Sequence, residues 1–238
     1  PYLGLDWESQ PVGVRWPEED STEQAPGFGL SVADYNGDGY MDIFLPNYGP
    51  NVLFFGAENG EMVDSSHLVT DLANAKNAEG AVSADFDGDG DVDILVLNRG
   101  TQNRLLENDG TGVFVAREGL FRGAGLNTVG ASVGDINKDT ILDFVTAERV
   151  VHVDISNLKP EDEPNQVFLG TGIGFETANH LVPKGLDLGY TFVSSLIDID
   201  ADMWPDLYFA NDYISYLGNV MLRNSAEVGV TFSDVSQS

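Results

Sequence analysis

Cysteine is absent from the 238-residue chain, which excludes a disulfide framework, thiol catalysis and thiolate metal sites. Positive charge is scarce: 11 Lys and Arg stand against 39 Asp and Glu, a formal net charge of −28. Nucleic-acid backbones and anionic membrane surfaces repel so acidic a chain, so neither is an expected partner. Histidine occurs at His67, His152 and His180 only, in separate stretches that do not announce a zinc site or a nucleophilic triad. No apolar run reaches transmembrane length, so direct membrane insertion is not expected, and no Gly-x-x-x-x-Gly-Lys phosphate loop is present. The chain opens at Pro1 without Met or a signal-like stretch, which reads as a mature or trimmed product. A hydrophobic fraction of 42% and an aromatic fraction of 10% are enough for a packed core and exclude global disorder.

What the chain does have is one nine-residue loop written four times. The copies are Asp34-Tyr-Asn-Gly-Asp-Gly-Tyr-Met-Asp42, Asp85-Phe-Asp-Gly-Asp-Gly-Asp-Val-Asp93, Asp135-Ile-Asn-Lys-Asp-Thr-Ile-Leu-Asp143 and Asp198-Ile-Asp-Ala-Asp-Met-Trp-Pro-Asp206. Positions 1, 3, 5 and 9 hold only Asp or Asn, and fourteen of these sixteen are Asp. A hard cation such as calcium takes six to eight oxygens from a flexible loop. Side-chain oxygens at alternate residues, with glycine to let the peptide turn, meet that need. Carboxylates this close with no cation between them would repel one another. Four bound calcium ions would bring the net charge from −28 to −20.

The expected ligands are therefore Asp34, Asn36, Asp38, Tyr40 and Asp42 in loop one. In loop two they are Asp85, Asp87, Asp89, Asp91 and Asp93. Loop three offers Asp135, Asn137, Asp139, Ile141 and Asp143, and loop four Asp198, Asp200, Asp202, Trp204 and Asp206. Position 7 contributes its backbone carbonyl. The opening imitates an EF-hand, whose twelfth loop residue is a ligating Glu. Here the twelfth residue is Leu45, Val96, Thr146 or Phe209, so the EF-hand is excluded. Loops three and four replace glycine with Lys138, Thr140, Ala201 and Met203, and Lys138 adds an opposing charge. Weaker binding, or a plain turn, is expected there.

The loops begin at 34, 85, 135 and 198, spacings of 51, 50 and 63. Periods of this length mark propellers or solenoids. Short strand-like runs flank each loop, such as Ala81–Ala84 before and Ile94–Leu97 after. A third run opens with Asn51, Asn103, Asn165 or Asn219, and a fourth closes the unit at Met62, Phe114, Phe175 or Phe232. Four antiparallel strands per repeat make a propeller blade. The expected fold is thus all-β, a β-propeller of about four four-stranded antiparallel blades over roughly 27–78, 79–128, 129–190 and 191–238. Residues 1–26, with Trp7 and Trp16, read as an N-terminal cap or edge segment. Residues 150–164 read as an inserted surface loop.

With loop, flanks and period in hand, the chain resembles the FG-GAP/VCBS repeat family, the calcium-binding repeats of integrin-α-type propellers. The resemblance is carried by Gly80–Asp85, Asp85–Asp93 and Ile94–Asn98, with Phe28-Gly29 as an echo of the naming motif. Asn103–Asn108 and Gly112–Phe114 are similar to the bacterial secreted, cartilage-acidic-protein-like branch. Coverage runs from about residue 27 to 236. The resemblance implies up to four calcium ions, one between the first and second strands of each blade. It implies secretion or cell-surface display, and a protein or glycan ligand more often than catalysis. Propellers of this family usually have seven blades. Four units would close as a small propeller, pair with a second copy, or belong to a longer chain.

Two other readings stay open. One is a calcium-dependent carbohydrate-active enzyme such as a polysaccharide lyase, but none of Lys76, Arg99, Arg122 or Lys184 identifies itself as a base. The other is a structural spacer in an adhesin. Of the aromatics Tyr48, Tyr190, Phe192, Trp204, Tyr208, Tyr213 and Tyr216, most read as blade core, and Tyr213 and Tyr216 as the exposed pair.

Overall fold

Short β-branched and aromatic runs bounded by turns become strands along the whole described chain. The structure is a computed structural model, and it describes residues 29–47, 49–70, 77–117, 120–121, 127–148, 164–212, 218–225 and 230–236. The expectations for residues 1–26, for most of 150–164 and for Tyr48, Tyr213 and Tyr216 lie outside these residues.

Sixteen strands form four sheets of four among the described residues. Sheet one holds β1 (Ser31–Ala33), β2 (Asp42–Leu45), β3 (Val52–Gly56) and β4 (Met62–Asp64). Sheet two holds β5 (Ala78–Ala84), β6 (Asp93–Asn98), β7 (Arg104–Asn108) and β8 (Phe114–Arg117). Sheet three holds β9 (Thr128–Gly134), β10 (Asp143–Glu148), β11 (Val167–Gly170) and β12 (Phe175–Thr177). Sheet four holds β13 (Tyr190–Ile197), β14 (Asp206–Asp212), β15 (Val220–Asn224) and β16 (Phe232–Asp234). In every sheet the strands neighbour one another in chain order. The fold is all-β, made of four-stranded antiparallel sheets of the propeller-blade type.

The acidic loop is the hairpin connection between first and second strands. Its last carboxylate is the first paired residue: Ala33 faces Asp42, Gly134 faces Asp143 and Ile197 faces Asp206. The recurring Asn before each third strand closes the next turn. Its side-chain oxygen accepts the N–H of a residue ending or following the second strand, Asn47, Asn98, Glu148 or Asn211, at 3.0, 2.9, 2.8 and 2.9 Å.

The chain divides into two compact units. Of the described residues, one takes those up to 85 with 89–96 and 104–117; the other takes 86–88, 97–103 and those from 120 onward. The first core gathers Tyr35, Phe44, Leu53, Val69, Ala78, Ile94, Val96, Leu106 and Phe114. The second gathers Ile136, Val145, Val167, Ala178, Val182, Leu207, Phe209, Val220, Leu222 and Phe232. Aligned on the loops and strand ends, these are largely one core used twice. Tyr35 corresponds to Ile136, Phe44 to Val145, Leu53 to Val167 and Val69 to Val182. Ile94 corresponds to Leu207, Val96 to Phe209, Leu106 to Leu222 and Phe114 to Phe232. A 3-10 turn recurs as well, Ser66–Leu68 and Asn179–Leu181, with His67 and His180 at its centre. It is anchored by Leu53 N–H to Ser66 Oγ at 3.1 Å and Val167 N–H to Asn179 Oδ1 at 3.0 Å. The sequence reads as four equivalent repeats, whereas the fold repeats in pairs of sheets.

Candidate functional site

All four loops share one turn, because their own carboxylates organise it. In loop one, Asp38 N–H donates to Asp34 Oδ1 at 3.1 Å and to Asn36 Oδ1 at 3.0 Å. Gly39 N–H donates to Asp34 Oδ2 at 2.8 Å and Tyr40 N–H to Asp38 Oδ1 at 2.9 Å. Loop three repeats the set: Asp139 N–H to Asp135 and Asn137, Thr140 N–H to Asp135, Ile141 N–H to Asp139. Loop four does the same from Asp202, Met203 and Trp204 to Asp198, Asp200 and Asp202. In loop two Gly90 N–H donates to Asp85 and Asp91 N–H to Asp89.

This network overrides the glycine rule. Gly37, Gly39, Gly88 and Gly90 sit at φ of 72, 89, 79 and 100°. Lys138, Thr140, Ala201 and Met203 occupy the same positions at 59, 73, 62 and 71°. Loops three and four therefore keep the turn and carry left-handed backbone strain, about 1–2 kcal/mol per residue. Lys138 does not simply oppose its own loop, because its ammonium lies 4.5 Å from the Trp204 ring centroid of loop four. That is a cation–π distance.

The ninth position has a second role that the spacing did not reveal. Asp42, Asp93, Asp143 and Asp206 are all buried. Through Oδ2 three of them accept the N–H of loop position 2: Tyr35 at 2.7 Å, Ile136 at 2.7 Å and Ile199 at 3.0 Å. Through Oδ1 all four accept the N–H that ends the third strand. The donors are Gly56, Asn108, Gly170 and Asn224, at 2.8, 2.9, 2.8 and 2.8 Å. Burial pushes the Asp42 carboxyl up and that of Asp143 to about 6, against the pull of these backbone bonds.

The end of the third strand distinguishes the two sheets of each pair. It is glycine in sheets one and three, where a Cβ on Gly56 would stand 2.3 Å from Met41 O and one on Gly170 2.5 Å from Leu142 O. It is asparagine in sheets two and four. Asn108 Nδ2 donates to Tyr35 O at 2.7 Å and Val92 O at 3.0 Å. Asn224 Nδ2 donates to Ile136 O at 3.1 Å and Pro205 O at 3.2 Å. The second sheet of each pair is thus clasped to the acidic loop of the first.

The donor set is wholly oxygen, which suits a hard cation and not zinc or copper. Among the described residues, Asp85, Asp87 and Asp89 bring ligand oxygens within 4.8 Å of one another, as do Asp198, Asp200 and Asp206. In loops one and three an Asn replaces the middle carboxylate. Its Nδ2 donates to the position-5 Asp, Asn36 to Asp38 at 3.1 Å and Asn137 to Asp139 at 2.9 Å. At position 7 the structure places the N–H groups of Tyr40, Asp91, Ile141 and Trp204 on the position-5 carboxylates. The residues present fit calcium.

The other singled-out residues do not converge on a site. Lys76, Arg122 and His152 lie outside the described residues. Arg99 bridges Asn127, and Lys184 lies in the loop after the second 3-10 turn. Tyr190 is buried core, while Phe192 is 45% exposed on β13. No helix among the described residues is long and apolar enough to cross a membrane.

The model of the FG-GAP-like repeat matches residues 34–96 and 85–146. No curated protein sequence matches the chain. Among solved structures, an Agrocybe aegerita lectin that recognises non-reducing terminal N-acetylglucosamine aligns at TM-score 0.51 and 16% identity, over 86% of this chain and 50% of the lectin. A Bifidobacterium bifidum s17 protein assigned as an exo-beta-1,3-galactanase aligns at TM-score 0.49 and 10% identity, over 88% of this chain and 72% of that one. The V. cholerae biofilm matrix protein Bap1 aligns at 0.40 and 17%, over 84% of this chain and 36% of Bap1. The chain therefore spans half the length of the lectin and about a third of Bap1. Residues 34–146 are therefore FG-GAP-like repeats, and the same loop and four-stranded sheet recur through residue 234.

Proposed function

We propose that this chain is a calcium-stapled recognition module, displayed outside the cell or on its surface, that binds a glycan or a protein. The observation that carries the metal is the convergence of Asp85, Asp87 and Asp89 within 4.8 Å in an all-oxygen loop. Calcium, when bound, would neutralise these carboxylates and cross-link alternate positions of the hairpin. The chain's own residues supply the rest. The position-1 and position-5 carboxylates hold the turn through loop N–H groups. The buried ninth Asp locks it to the third strand, so ligand oxygens are set in place before any ion arrives. Extracellular display is consistent with this, since weak calcium sites fill where calcium is abundant. The recognition reading is supported by the family and by the lectin of shared fold, whose sugar specificity is its own.

The test is a thermal melt of the purified chain in chelator and in millimolar calcium. Each filled site at a hundred times its Kd adds about 2.7 kcal/mol, and a domain of this size gains roughly 2–4 °C per kcal/mol. A rise of at least 5 °C is expected; an unchanged midpoint refutes the staple. Arrays of glycans and of proteins, probed with calcium-loaded protein, test recognition. No ligand on either array would leave a spacer role.

A further inference from the structure

Loops two and four are counterparts, each the second of its pair and each with Asp at positions 1, 3, 5 and 9. One difference lies on the third strand, at the residue before the clasping Asn. On β7 it is Glu107, which pairs with Arg117 at 2.8 Å. On β15 it is Arg223, whose guanidinium forms an ion pair with Asp200, the position-3 carboxylate of loop four. The corresponding residues of the first and third sheets are Phe55 and Leu169. Only the fourth repeat places a cation there. A second cation, Lys138, stands over Trp204 on the same loop.

We propose that Arg223 is a built-in counter-cation that occupies the fourth loop in place of a metal ion, so that this loop takes calcium weakly. The proposal rests on the calcium reading. Asp200 is one of three carboxylates that converge in loop four, with Asp198 and Asp206. A guanidinium already on the Asp200 carboxylate covers lone pairs a calcium ion would use, and a divalent ion on the same carboxylate would be repelled by its positive charge. In a water-like dielectric that repulsion, together with the lost pair, weakens binding roughly tenfold.

Terbium, which replaces calcium and emits when a nearby indole absorbs, reads loop four through Trp204. The wild-type chain, Arg223→Gln, Arg223→Ala and Trp204→Phe are titrated, with calcium counted by equilibrium dialysis and fold checked by circular dichroism. Arg223→Gln and Arg223→Ala are expected to shift the Trp204-dependent signal to about tenfold lower terbium and to add one tightly bound calcium. Two substitutions guard against misfolding of either. Calcium bound equally, in number and affinity, by wild type and both Arg223 variants overturns the counter-cation and leaves the metal reading standing. No calcium bound by any of them overturns both.

Discussion

Asn108 is the residue on which the first pair of sheets most visibly depends, and replacing it with Ala tests the clasp. The side chain is 6% exposed. It donates to Tyr35 O and Val92 O at 2.7 and 3.0 Å and accepts from Gly110 N–H and Gly112 N–H at 3.2 and 3.0 Å. All four bonds vanish in Asn108→Ala, while the backbone bond to Asp93 at 2.9 Å survives. Net values of about 0.5–1.5 kcal/mol per bond give a loss of about 2–6 kcal/mol for the four, with the carbonyls left buried favouring the upper part of that range. Asn108→Asp separates hydrogen bonding from shape. The two acceptor bonds persist, but a carboxylate now faces two carbonyls that need donors. Its folded-state pKa is raised, so its stabilising protonated form holds below pH 4 and is lost as pH rises. Urea denaturation at pH 7 should rank wild type above Ala, and Ala at or above Asp, with the Asp variant recovering in acid. An Ala variant within 0.5 kcal/mol of wild type, or an Asp variant as stable as wild type at pH 7, would show that the clasp contributes nothing.

Asn224→Ala removes the longer bonds at 3.1 and 3.2 Å and should cost less, about 1–3 kcal/mol by the same denaturation. Ala201→Gly and Met203→Gly relieve residues at φ of 62 and 71°; after glycine's entropic cost each should stabilise by roughly 0.5–1 kcal/mol in calorimetry. Asp143 has its pKa raised by burial from 3.8 to about 6. Its contribution without metal is fully present below pH 3.8 and is lost as pH rises through about 6. In chelator the melting advantage of wild type over Asp143→Asn should therefore shrink between about pH 4 and 6, and a pH-independent difference would contradict this.

The loop and the strand order were legible in the sequence because both rest on residue type at fixed spacing. Asp or Asn at 1, 3, 5 and 9 is visible without coordinates, and short runs such as Ile94–Leu97 can hardly be helix between such turns. Lys138, Thr140, Ala201 and Met203 in place of glycine point to weaker binding or a plain turn; what the sequence does not display is that Thr140 and Met203 N–H donate to Asp135 and Asp198 and keep the glycine-type turn. The pairing of sheets hid because it turns on single residues at strand ends, Gly56 and Gly170 against Asn108 and Asn224. The Arg223–Asp200 pair hid for a different reason. It joins residues 23 apart across a strand and a loop, and nothing in either neighbourhood marks the partner.

The alternation of a glycine-ended and an asparagine-ended sheet has a consequence for inheritance. A gene built this way lengthens or shortens most safely by an even number of blades. Losing one alone would leave a carboxamide reaching for a missing carbonyl. Gaining one alone would set two glycine-ended neighbours side by side with no latch between them.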